Sequence, residues 1–494
     1  MRDLQKIGLD LPVAEAIPTL EKALQDKGLA VLVAPPGAGK TTLVPIRLLG
    51  AHWRGEGTII LLEPRRLAAR AAARRMASML GEEVGQTVGY RMRLDQKTSA
   101  KTRILVVTEG VFARMALDDP ELPGVTAVLF DEFHERSLDA DLGLALALDI
   151  RDGLRPDLRL MVMSATLDGA RVGQILGDAP VIEAKGRAFP VEIRHTDRKP
   201  DERLDESMAR AVMGALAAEA GSILAFLPGT GEINGTARRL EGRLPPDVRL
   251  YLLHGTMDSA AQDEAIRPAP AGIRKVVLAT SIAETSITID GVRVVIDSGY
   301  QRLPVFEPAT GLTRLETVRA SRASVDQRAG RAGRTAPGIA LRLWHAAQTA
   351  SLPAFTPPEI LAADLTGLLL DLAAFGVADP AQMRFLDLPP DPALNEAREL
   401  LKRLGALDDG GRLTNAGRQM RRLALPARLA HMLIEAAKAG SARHAAELSV
   451  LMTERGLGGN DADLDVRLAN FRRDRFDRTQ AAKGLAHRLA TEAG

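Results

Sequence analysis

The feature that most constrains the fold of this 494-residue chain is an alternation of short apolar runs with longer helical patterns. Between about residues 30 and 180 the runs read AVLVA, TIILLE, RILVVTEG, AVLFDE and LRLMVMSAT, and each ends in small, polar or acidic residues. Strands that alternate with helices form parallel sheets, which bind their ligands at the carboxyl ends of the strands. We therefore predict an α/β domain with its functional site where these runs end.

A second series of such runs follows, and the pattern then changes. SILAFLPG, VRLYLLHG, KVVLATS and RVVIDSG predict a similar second α/β domain, joined to the first near EAKGRAFPVEI at residues 183–193. After about residue 350 the spacing becomes helical, and LGALDDGGRLTNAG predicts a helix, a turn and a short β-wing. We predict α/β domains at 1–183 and 184–350, a winged-helix-like domain at 351–440, and a truncated helical region at 441–494.

Composition excludes several classes of site. The chain has no cysteine, which excludes disulfides, thiolate zinc sites and cysteine nucleophiles. Its formal net charge is only +2, so anions must be bound by local patches. Aromatic residues make up 3%, so a bound nucleic acid would be held mainly through its backbone. Acidic residues near the N-terminus argue against a signal peptide and no apolar run is long enough for a membrane, so we expect a cytoplasmic protein.

The stretch LVAPPGAGKTTL, residues 32–43, resembles a phosphate-binding loop. Gly39, Lys40 and Thr41 fill the last three places of the GxxxxGK[ST] template, but Ala34 stands where its first glycine belongs. Pro35 favours an extended Ala34, as the end of a strand requires. Backbone N–H groups of residues 37–42 could hold phosphates, with Lys40 on the outer phosphates and the Thr41 hydroxyl on magnesium. The alternative is a plain strand–turn–helix.

Two carboxylates follow a later apolar run in AVLFDEFHER, residues 127–136. Asp131 at a strand end could hold magnesium, and Glu132 could polarise an attacking water. An acidic strand end before a helix is the alternative. The order of these residues after Lys40 and Thr41 favours a nucleotide site.

A basic stretch, QRAGRAGR at residues 327–334, lies in the second α/β domain. Arg331 and Arg334 are three apart, which predicts one helix face, with Gln327 a turn earlier. A nucleotide between two domains needs charge from the far side, which arginine fingers supply. A solvated basic face is the alternative, but Gly330 and Gly333 would each cost a helix about 1 kcal/mol, which favours close approach to another group.

Together, APPGAGKTT, EPRRLAAR, TEG, DEFH, SAT, ATSIAETSITIDG and QRAGRAGR resemble, in this order, the motifs of the DEAH/RHA group of superfamily 2 helicases. The likeness runs from residue 10 to about residue 450 and is greatest to the bacterial HrpB-like branch. It implies two tandem RecA-like P-loop NTPase domains, a winged-helix-like domain and the start of a helical bundle. It also implies ATP or another NTP as substrate, Mg²⁺ as cofactor and single-stranded RNA, or DNA, as partner.

The resemblance also implies residue roles. The predicted phosphate contacts are Gly37, Ala38, Gly39, Lys40, Thr41 and Thr42. Thr41 and Asp131 would hold Mg²⁺, and Asp290 would contact the ribose or the magnesium shell. Glu132 would be the base and Gln327 would position the water, while Arg331 and Arg334 would be the fingers. Ser164 and Thr166 would couple phosphate loss to domain movement. The residues expected to grip the nucleic-acid backbone are Arg65, Arg66, Thr108, Gly110, Thr280 and Thr285.

The chain departs from the family pattern at two places. Phe133 stands in DEFH where DEAH has alanine, and we expect little chemical consequence because that side chain is not a ligand. The family stacks the base between an arginine, aligned to Arg75, and a phenylalanine, which is replaced here by Ile266. No glutamine that could read adenine precedes the P-loop. We therefore expect weak base selectivity.

Residues 301–321, QRLPVFEPATGLTRLETVRAS, predict a β-hairpin with its turn at Pro308 to Gly311. Pro304 makes the first run an edge or protruding strand. The hairpin could simply extend the β-sheet. Alternatively, it could lie where the two strands of a nucleic-acid duplex separate, as such a hairpin does in the family. We favour the second interpretation.

The predicted function is an NTPase that moves 3′ to 5′ along a single nucleic-acid strand, with RNA as the expected substrate. One alternative is a translocase that remodels nucleoprotein without unwinding. The other is a non-catalytic binding scaffold, which would require broken catalytic positions. No metal other than magnesium is expected.

Overall fold

The structure, a computed structural model, describes residues 4–93, 95–165, 169–186, 189–197, 199, 201–285, 287, 289–307, 310–454, 456–459 and 461–494. The chain forms two compact units. The first comprises residues 1–305 and 314–359, and the second comprises residues 306–313 and 360–494.

The first α/β domain is built on an eight-stranded sheet with the order β4-β3-β5-β2-β6-β7-β1-β8. Its strands are Leu29–Val33 (β1), Thr58–Glu63 (β2), Val88–Met92 (β3), Asp95–Lys97 (β4), Ile104–Thr108 (β5), Val125–Phe130 (β6), Arg159–Ser164 (β7) and Val181–Glu183 (β8). Strands β3 and β4 pair antiparallel, and the other pairings are parallel. Every residue of β1 is buried, as expected for a central strand covered on both faces.

Helices cover this sheet. They are Ile17–Asp26 (α1), Lys40–Leu48 (α2), Arg66–Leu80 (α3), Glu109–Asp118 (α4), Leu138–Gly153 (α5) and Gly169–Ile175 (α6). The Ser137 side chain caps α5 by accepting a hydrogen bond from the Ala140 N–H. Because β6, β7 and β1 are consecutive in the sheet, the loops that follow them meet at one edge. These are the loops in which the sequence places its phosphate loop, DEFH and SAT.

The second α/β domain contains a six-stranded sheet with the order β11-β12-β10-β13-β16-β9. Its strands are Val191–His195 (β9), Ser222–Phe226 (β10), Val248–Leu253 (β11), Arg274–Ala279 (β12), Val292–Asp297 (β13) and Gly338–Arg342 (β16). Its helices are Leu204–Ala218 (α7), Thr230–Leu240 (α8), Ser259–Ile266 (α9) and Arg322–Gly330 (α10). All its pairings are parallel, which confirms the prediction of two α/β domains with parallel sheets.

The predicted hairpin forms a separate two-stranded sheet of Tyr300–Glu307 (β14) and Leu312–Arg319 (β15). It therefore does not extend the six-stranded sheet, and that alternative was wrong. Pro308 and Ala309 of the predicted turn lie outside the described residues. Gly311 follows them with φ +64°.

The second unit is helical beyond the hairpin residues. Its helices are Thr366–Phe375 (α11), Asp391–Arg403 (α12), Asn415–Arg422 (α13), Ala427–Lys438 (α14), Ala442–Thr453 (α15), Leu464–Arg473 (α16) and Asp477–Ala493 (α17). An antiparallel bridge between Leu407 and Leu413 forms the predicted wing between α12 and α13. No helix in the described part of the chain has the length and apolarity to cross a bilayer. The domain boundaries at residues 183, 350 and 440 remain predictions.

A buried arginine holds the second α/β domain together. The Arg328 guanidinium donates to Glu284 Oε2 at 2.9 Å and to Asp297 Oδ1 at 3.0 Å. It also donates to the Tyr300 carbonyl at 3.2 Å and lies over the Phe226 ring. Arg328 is 1% exposed, so its charge is compensated entirely by protein groups. The sequence motif QRAGRAGR contains Arg328, but its spacing did not predict this structural role.

Replacing Arg328 with methionine should destabilise the second α/β domain by about 3–5 kcal/mol, because two carboxylates would remain buried without their partner. The chain has two tryptophans, and the buried Trp344 belongs to this domain. Urea unfolding followed by Trp344 fluorescence, in a Trp53→Phe background, measures the loss. Glu192→Gln, which removes an exposed partner of Arg194, is the control and should leave the transition unchanged. Equal transitions for the two variants would contradict the assignment.

Candidate functional site

The predicted phosphate loop joins β1 to α2, which begins at Lys40. Gly37 and Gly39 have φ of +85° and +94°, a region that favours glycine. A Cβ on Gly39 would also lie 2.9 Å from the Leu11 side chain. Ala34 is buried, its N–H donates to the Ser164 carbonyl at 3.0 Å, and it is not among the described residues with positive φ. The missing first glycine therefore does not strain the loop.

Lys40 forms a buried ion pair at the start of α2. Its Nζ lies 2.9 Å from Glu132 Oε2 and 4.0 Å from Asp131 Oδ1. Burial acts to lower the pKa of Lys40, but the two carboxylates outweigh it and hold the pKa above its usual value. Burial likewise acts to raise the pKa of Glu132, yet Lys40 carries it below its usual range. Lys40 is thus a cation and Glu132 an anion at neutral pH.

Asp131 and Thr41 provide oxygen atoms beside this pair. The Thr41 hydroxyl donates to Asp131 Oδ2, and the Glu132 N–H donates to Asp131 Oδ1 at 2.8 Å. A hydroxyl and a carboxylate are hard oxygen ligands, and magnesium takes only one or two of these from a protein when phosphates and water complete its shell. The described residues contain no cluster of three or more His, Asp or Glu suited to another metal. Thr41 and Asp131 therefore fit the predicted ion.

The backbone that follows Asp131 is strained. Glu132 and Arg136 have φ of +49° and +51°, and they flank a 3₁₀ turn at Phe133–Glu135. Left-handed non-glycine residues cost about 1–3 kcal/mol each and persist where surrounding contacts fix them. Here Lys40 fixes the Glu132 side chain. A bidentate pair with Asp141, at 3.0 Å for each bond, fixes Arg136.

His134 of this turn connects the two α/β domains. Its Nδ1 accepts a 3.3 Å hydrogen bond from the Ala165 N–H, and its Nε2 lies 2.9 Å from the Gln327 amide. Burial lowers the pKa of His134, although Glu132 opposes the shift, so the ring is neutral at neutral pH. Gln327, predicted to position the water, is thereby held beside DEFH.

A cavity of about 420 Å³ lies against these groups. It is lined by Leu11, Pro36, Gly37, Gly39, Lys40, Thr41, Thr42, Ala71, Ala72, Arg75, Glu132, Ile266, Ile287, Asp290 and Arg334. Among the predicted ATP-binding residues, Ala38 is buried within the loop and the others line the cavity. Arg75 and Ile266 both line it, as the base-site interpretation requires. Leu11 was missed, because an isolated leucine ahead of the P-loop carries no sequence signal for a ligand site.

The two predicted finger arginines differ in their contacts. Arg334 lines the cavity and also donates to the Ile287 carbonyl at 3.4 Å, whereas Arg331 is buried and donates to the carbonyls of Glu284 and Ile287. The expectation of one continuous helix face was wrong, because α10 ends at Gly330 and Arg331–Gly333 form a 3₁₀ turn.

The close approach predicted for the two glycines holds for one of them. A Cβ on Gly333 would meet the Phe189 carbonyl, while one on Gly330 would meet no described heavy atom within 4 Å. Gly333 is required by packing, and Gly330 marks the end of α10.

The predicted backbone-gripping residues lie mostly at the ends of elements. Arg66 is the exposed first residue of α3, Thr108 precedes α4, and Thr280 precedes a 3₁₀ turn. Gly110 packs against the exposed Asp139 carboxylate, which would have to shift to admit a side chain there.

Arg65 and Thr285 come together, although they belong to different α/β domains. Both donate to the carboxylate of Glu135. Arg65 also donates to the Ser281 carbonyl. Glu135 was missed, since only the three-dimensional structure brings these residues to one point.

Of the two predicted coupling residues, only one can be placed. Ser164 ends β7 and is buried. Thr166 lies outside the described residues.

Family models match three parts of the chain. They are a DEAD/DEAH box helicase model over residues 14–175, a helicase conserved C-terminal domain over 202–336, and the winged-helix part of a helicase associated domain (HA2) over 397–425. The matches cover both α/β domains and the winged helix.

Two named relatives are similar over most of the chain. ATP-dependent RNA helicase HrpB of Escherichia coli (strain K12) is 49% identical over 484 residues, which is 98% of this chain and 59% of that protein. Pre-mRNA-splicing factor ATP-dependent RNA helicase DEAH10 of Arabidopsis thaliana is 35% identical over 463 residues, 84% of this chain and 65% of that protein. The chain thus spans about three-fifths of the length of these relatives.

Solved structures agree with the sequence matches. A crystal structure of the E. coli DEAH/RHA helicase HrpB matches with a TM-score of 0.90 at 48% identity, covering 97% of this chain and 60% of that one. A crystal structure of E. coli DExH-box NTPase HrpB matches with a TM-score of 0.84 at 48% identity, covering 97% of this chain and 59% of that chain. On these matches and motifs, the chain belongs to the DEAD/DEAH-box helicase family, in the HrpB-like branch of its DEAH/RHA group.

Proposed function

We propose that this chain hydrolyses ATP, or another NTP, and couples hydrolysis to 3′–5′ movement along single-stranded RNA. The observation that carries the proposal is the buried Lys40–Glu132 pair at a cavity lined from the other domain by Arg334. A cation, a carboxylate and an opposing arginine are the groups that phosphoryl transfer to water requires. The names of both relatives, which call them ATP-dependent RNA helicases, support the nucleic-acid part.

In the first step of hydrolysis, Lys40 exchanges Glu132 for the phosphates of the NTP as its ion-pair partner. Phosphate oxygens entering the cavity attract Lys40 away from Glu132, because a phosphate group carries more charge than one carboxylate. The released Glu132 then accepts a proton from a water that the Gln327 amide orients. Arg334 supplies positive charge to the transferring phosphoryl group. Thr41 and Asp131 would hold a magnesium ion, which neutralises charge on the phosphate oxygens when bound.

Movement along the nucleic acid follows from the position of the cavity between the two α/β domains. Groups on both domains contact the nucleotide, so its binding favours a closed arrangement and hydrolysis removes that preference. The gripping residues Arg65 and Thr285 lie on different domains and change separation in each cycle. The non-catalytic scaffold would require broken catalytic positions, and the residue types that hydrolysis needs are retained at Lys40, Asp131, Glu132, Gln327 and Arg334.

Release of inorganic phosphate, measured with and without single-stranded RNA, tests the proposal. A chain that turns over NTP faster with RNA is an RNA-dependent NTPase, and absence of turnover would support the scaffold alternative. Strand displacement on duplexes with a 3′ or a 5′ overhang then separates a 3′–5′ helicase from a translocase that does not unwind.

Glu132→Gln should abolish hydrolysis while retaining NTP binding, because the amide cannot accept the proton of water. Lys40→Ala should abolish turnover and weaken binding, because the cation that meets the outer phosphates is lost. Single-turnover hydrolysis and binding of a fluorescent nucleotide analogue measure the two effects. Near wild-type turnover of Glu132→Gln would refute the assignment of the base.

ATP, GTP and CTP should support turnover within about tenfold of one another, because one stacking contact is worth about 1.4 kcal/mol or less at an open site. Ile266→Phe should lower KM for each nucleotide by up to about tenfold by restoring a ring opposite Arg75. Steady-state kinetics with the three nucleotides provide the measurement. A preference for ATP above about a hundredfold would reveal an unrecognised base reader.

Shortening the hairpin turn at residues 308–311 to Asn-Gly should reduce duplex separation sharply and leave RNA-stimulated hydrolysis within a few fold of wild type. Asn-Gly favours a tight hairpin, so β14 and β15 should persist. Gly311 packs against the Arg428 guanidinium within the second unit, so Arg428→Ala is the control that removes this contact without shortening the turn. Unchanged unwinding would exclude a strand-separating role, and a parallel fall in hydrolysis would assign the hairpin to coupling.

A further inference from the structure

Glu135 makes two hydrogen bonds to the two α/β domains. Arg65 Nη2 donates to Glu135 Oε2 at 3.0 Å, and the Thr285 hydroxyl donates to Glu135 Oε1. Arg65 is 26% exposed and Glu135 18% exposed at the side chain, so solvent reaches the pair. One carboxylate thus uses donors from both domains.

The same two donors suit a backbone phosphate. A phosphodiester presents two anionic oxygens from one centre, as a carboxylate does, and guanidinium and hydroxyl groups are common partners for it. A cavity of about 180 Å³ adjoins the pair and is lined by Arg65, Glu135, Thr285 and Arg302, among others. Its lining also includes Gln327 and His134, so it extends towards the NTP site.

We propose that Glu135 occupies a nucleic-acid phosphate site and that a backbone phosphate displaces it from Arg65 and Thr285. Glu135 is then an internal competitor of the phosphate. It sets how strongly the chain binds nucleic acid and how far NTP hydrolysis depends on bound nucleic acid. The inference rests on the proposed function, because it requires Arg65 and Thr285 to grip nucleic acid.

The local backbone connects this competition to hydrolysis. Glu135 ends the 3₁₀ turn Phe133–Glu135, which follows Glu132 directly and is flanked by left-handed residues at 132 and 136. Glu135 thus lies three residues from Glu132 in the same short turn, and its two hydrogen bonds are among the contacts that hold this turn in place. His134, between them, contacts Gln327. Displacement of Glu135 by phosphate removes two contacts from the turn that follows Glu132 and carries His134, and this is the route by which nucleic acid would act on hydrolysis.

The test measures binding of fluorescently labelled single-stranded oligouridylate by nucleotide-free protein. Glu135→Gln should tighten binding by about 3- to 10-fold, since a part-exposed charged competitor is removed. The slope of log Kd against log salt should stay the same, because wild type and variant neutralise the same phosphates and so release the same number of cations from the RNA. RNA-free hydrolysis should rise and the stimulation by RNA should fall.

Three variants sharpen the measurement. Glu135→Ala should tighten binding like Glu135→Gln, which guards against a substitution that affects folding alone. Glu192→Gln, which removes a charge from the exposed pair with Arg194, should change neither affinity nor salt slope. In an Arg65→Ala background, Glu135→Gln should have much less effect, because the principal donor for which carboxylate and phosphate compete is absent.

Unchanged or weaker binding by both Glu135 variants would overturn the inference, as would a tightening that persists fully without Arg65. These outcomes are distinct from failure of the proposed function. If the wild type neither binds the oligouridylate nor hydrolyses NTP, the proposed function fails. If the wild type does both and the Glu135 variants match it, only the role of Glu135 is excluded.

Discussion

The buried ion pair between Lys40 and Glu132 is the interaction on which the organisation of the site depends. Burying a charge away from water costs free energy unless the charge is paired. Lys40 and Glu132 each offset the cost of burying the other at the edge of the sheet. The pairing requires the loop after β1 and the loop after β6 to meet, which the strand order β6-β7-β1 ensures. The pairing also makes the state of Glu132 depend on Lys40, because an anion that attracts Lys40 would release the Glu132 carboxylate.

The second α/β domain uses buried charge differently. Arg328 is enclosed by Glu284, Asp297 and a backbone carbonyl, so every one of its partners belongs to the same domain. Arg334, six residues later, lines the cavity instead. One short arginine-rich segment thus contributes both a structural centre and a residue that lines the cavity.

The sequence predicted those features that depend on neighbours along the chain. Apolar runs located five of the eight strands of the first sheet and four of the six strands of the second. The glycines and lysine of the phosphate loop located the turn whose left-handed residues are Gly37 and Gly39. Contacts between distant segments could not be predicted in this way. Leu11 beside Gly39 and Glu135 between Arg65 and Thr285 depend on how whole elements pack. The end of α10 at Gly330 was missed because helical spacing of arginines does not reveal where a backbone tightens.

The strained turn from Glu132 to Arg136 has a mechanical consequence. A stiff segment transmits displacement from one end to the other, whereas a compliant one absorbs it. The contacts of Glu132 with Lys40 and of Arg136 with Asp141 hold both residues in sparsely populated torsions and so restrict the shapes of this segment. If the chain binds an NTP and a nucleic acid as proposed, a softer backbone at positions 132–136 would weaken the coupling between the two ligands and leave both binding surfaces intact. Selection can then act on the backbone stiffness of residues 132–136 as well as on the identity of their side chains.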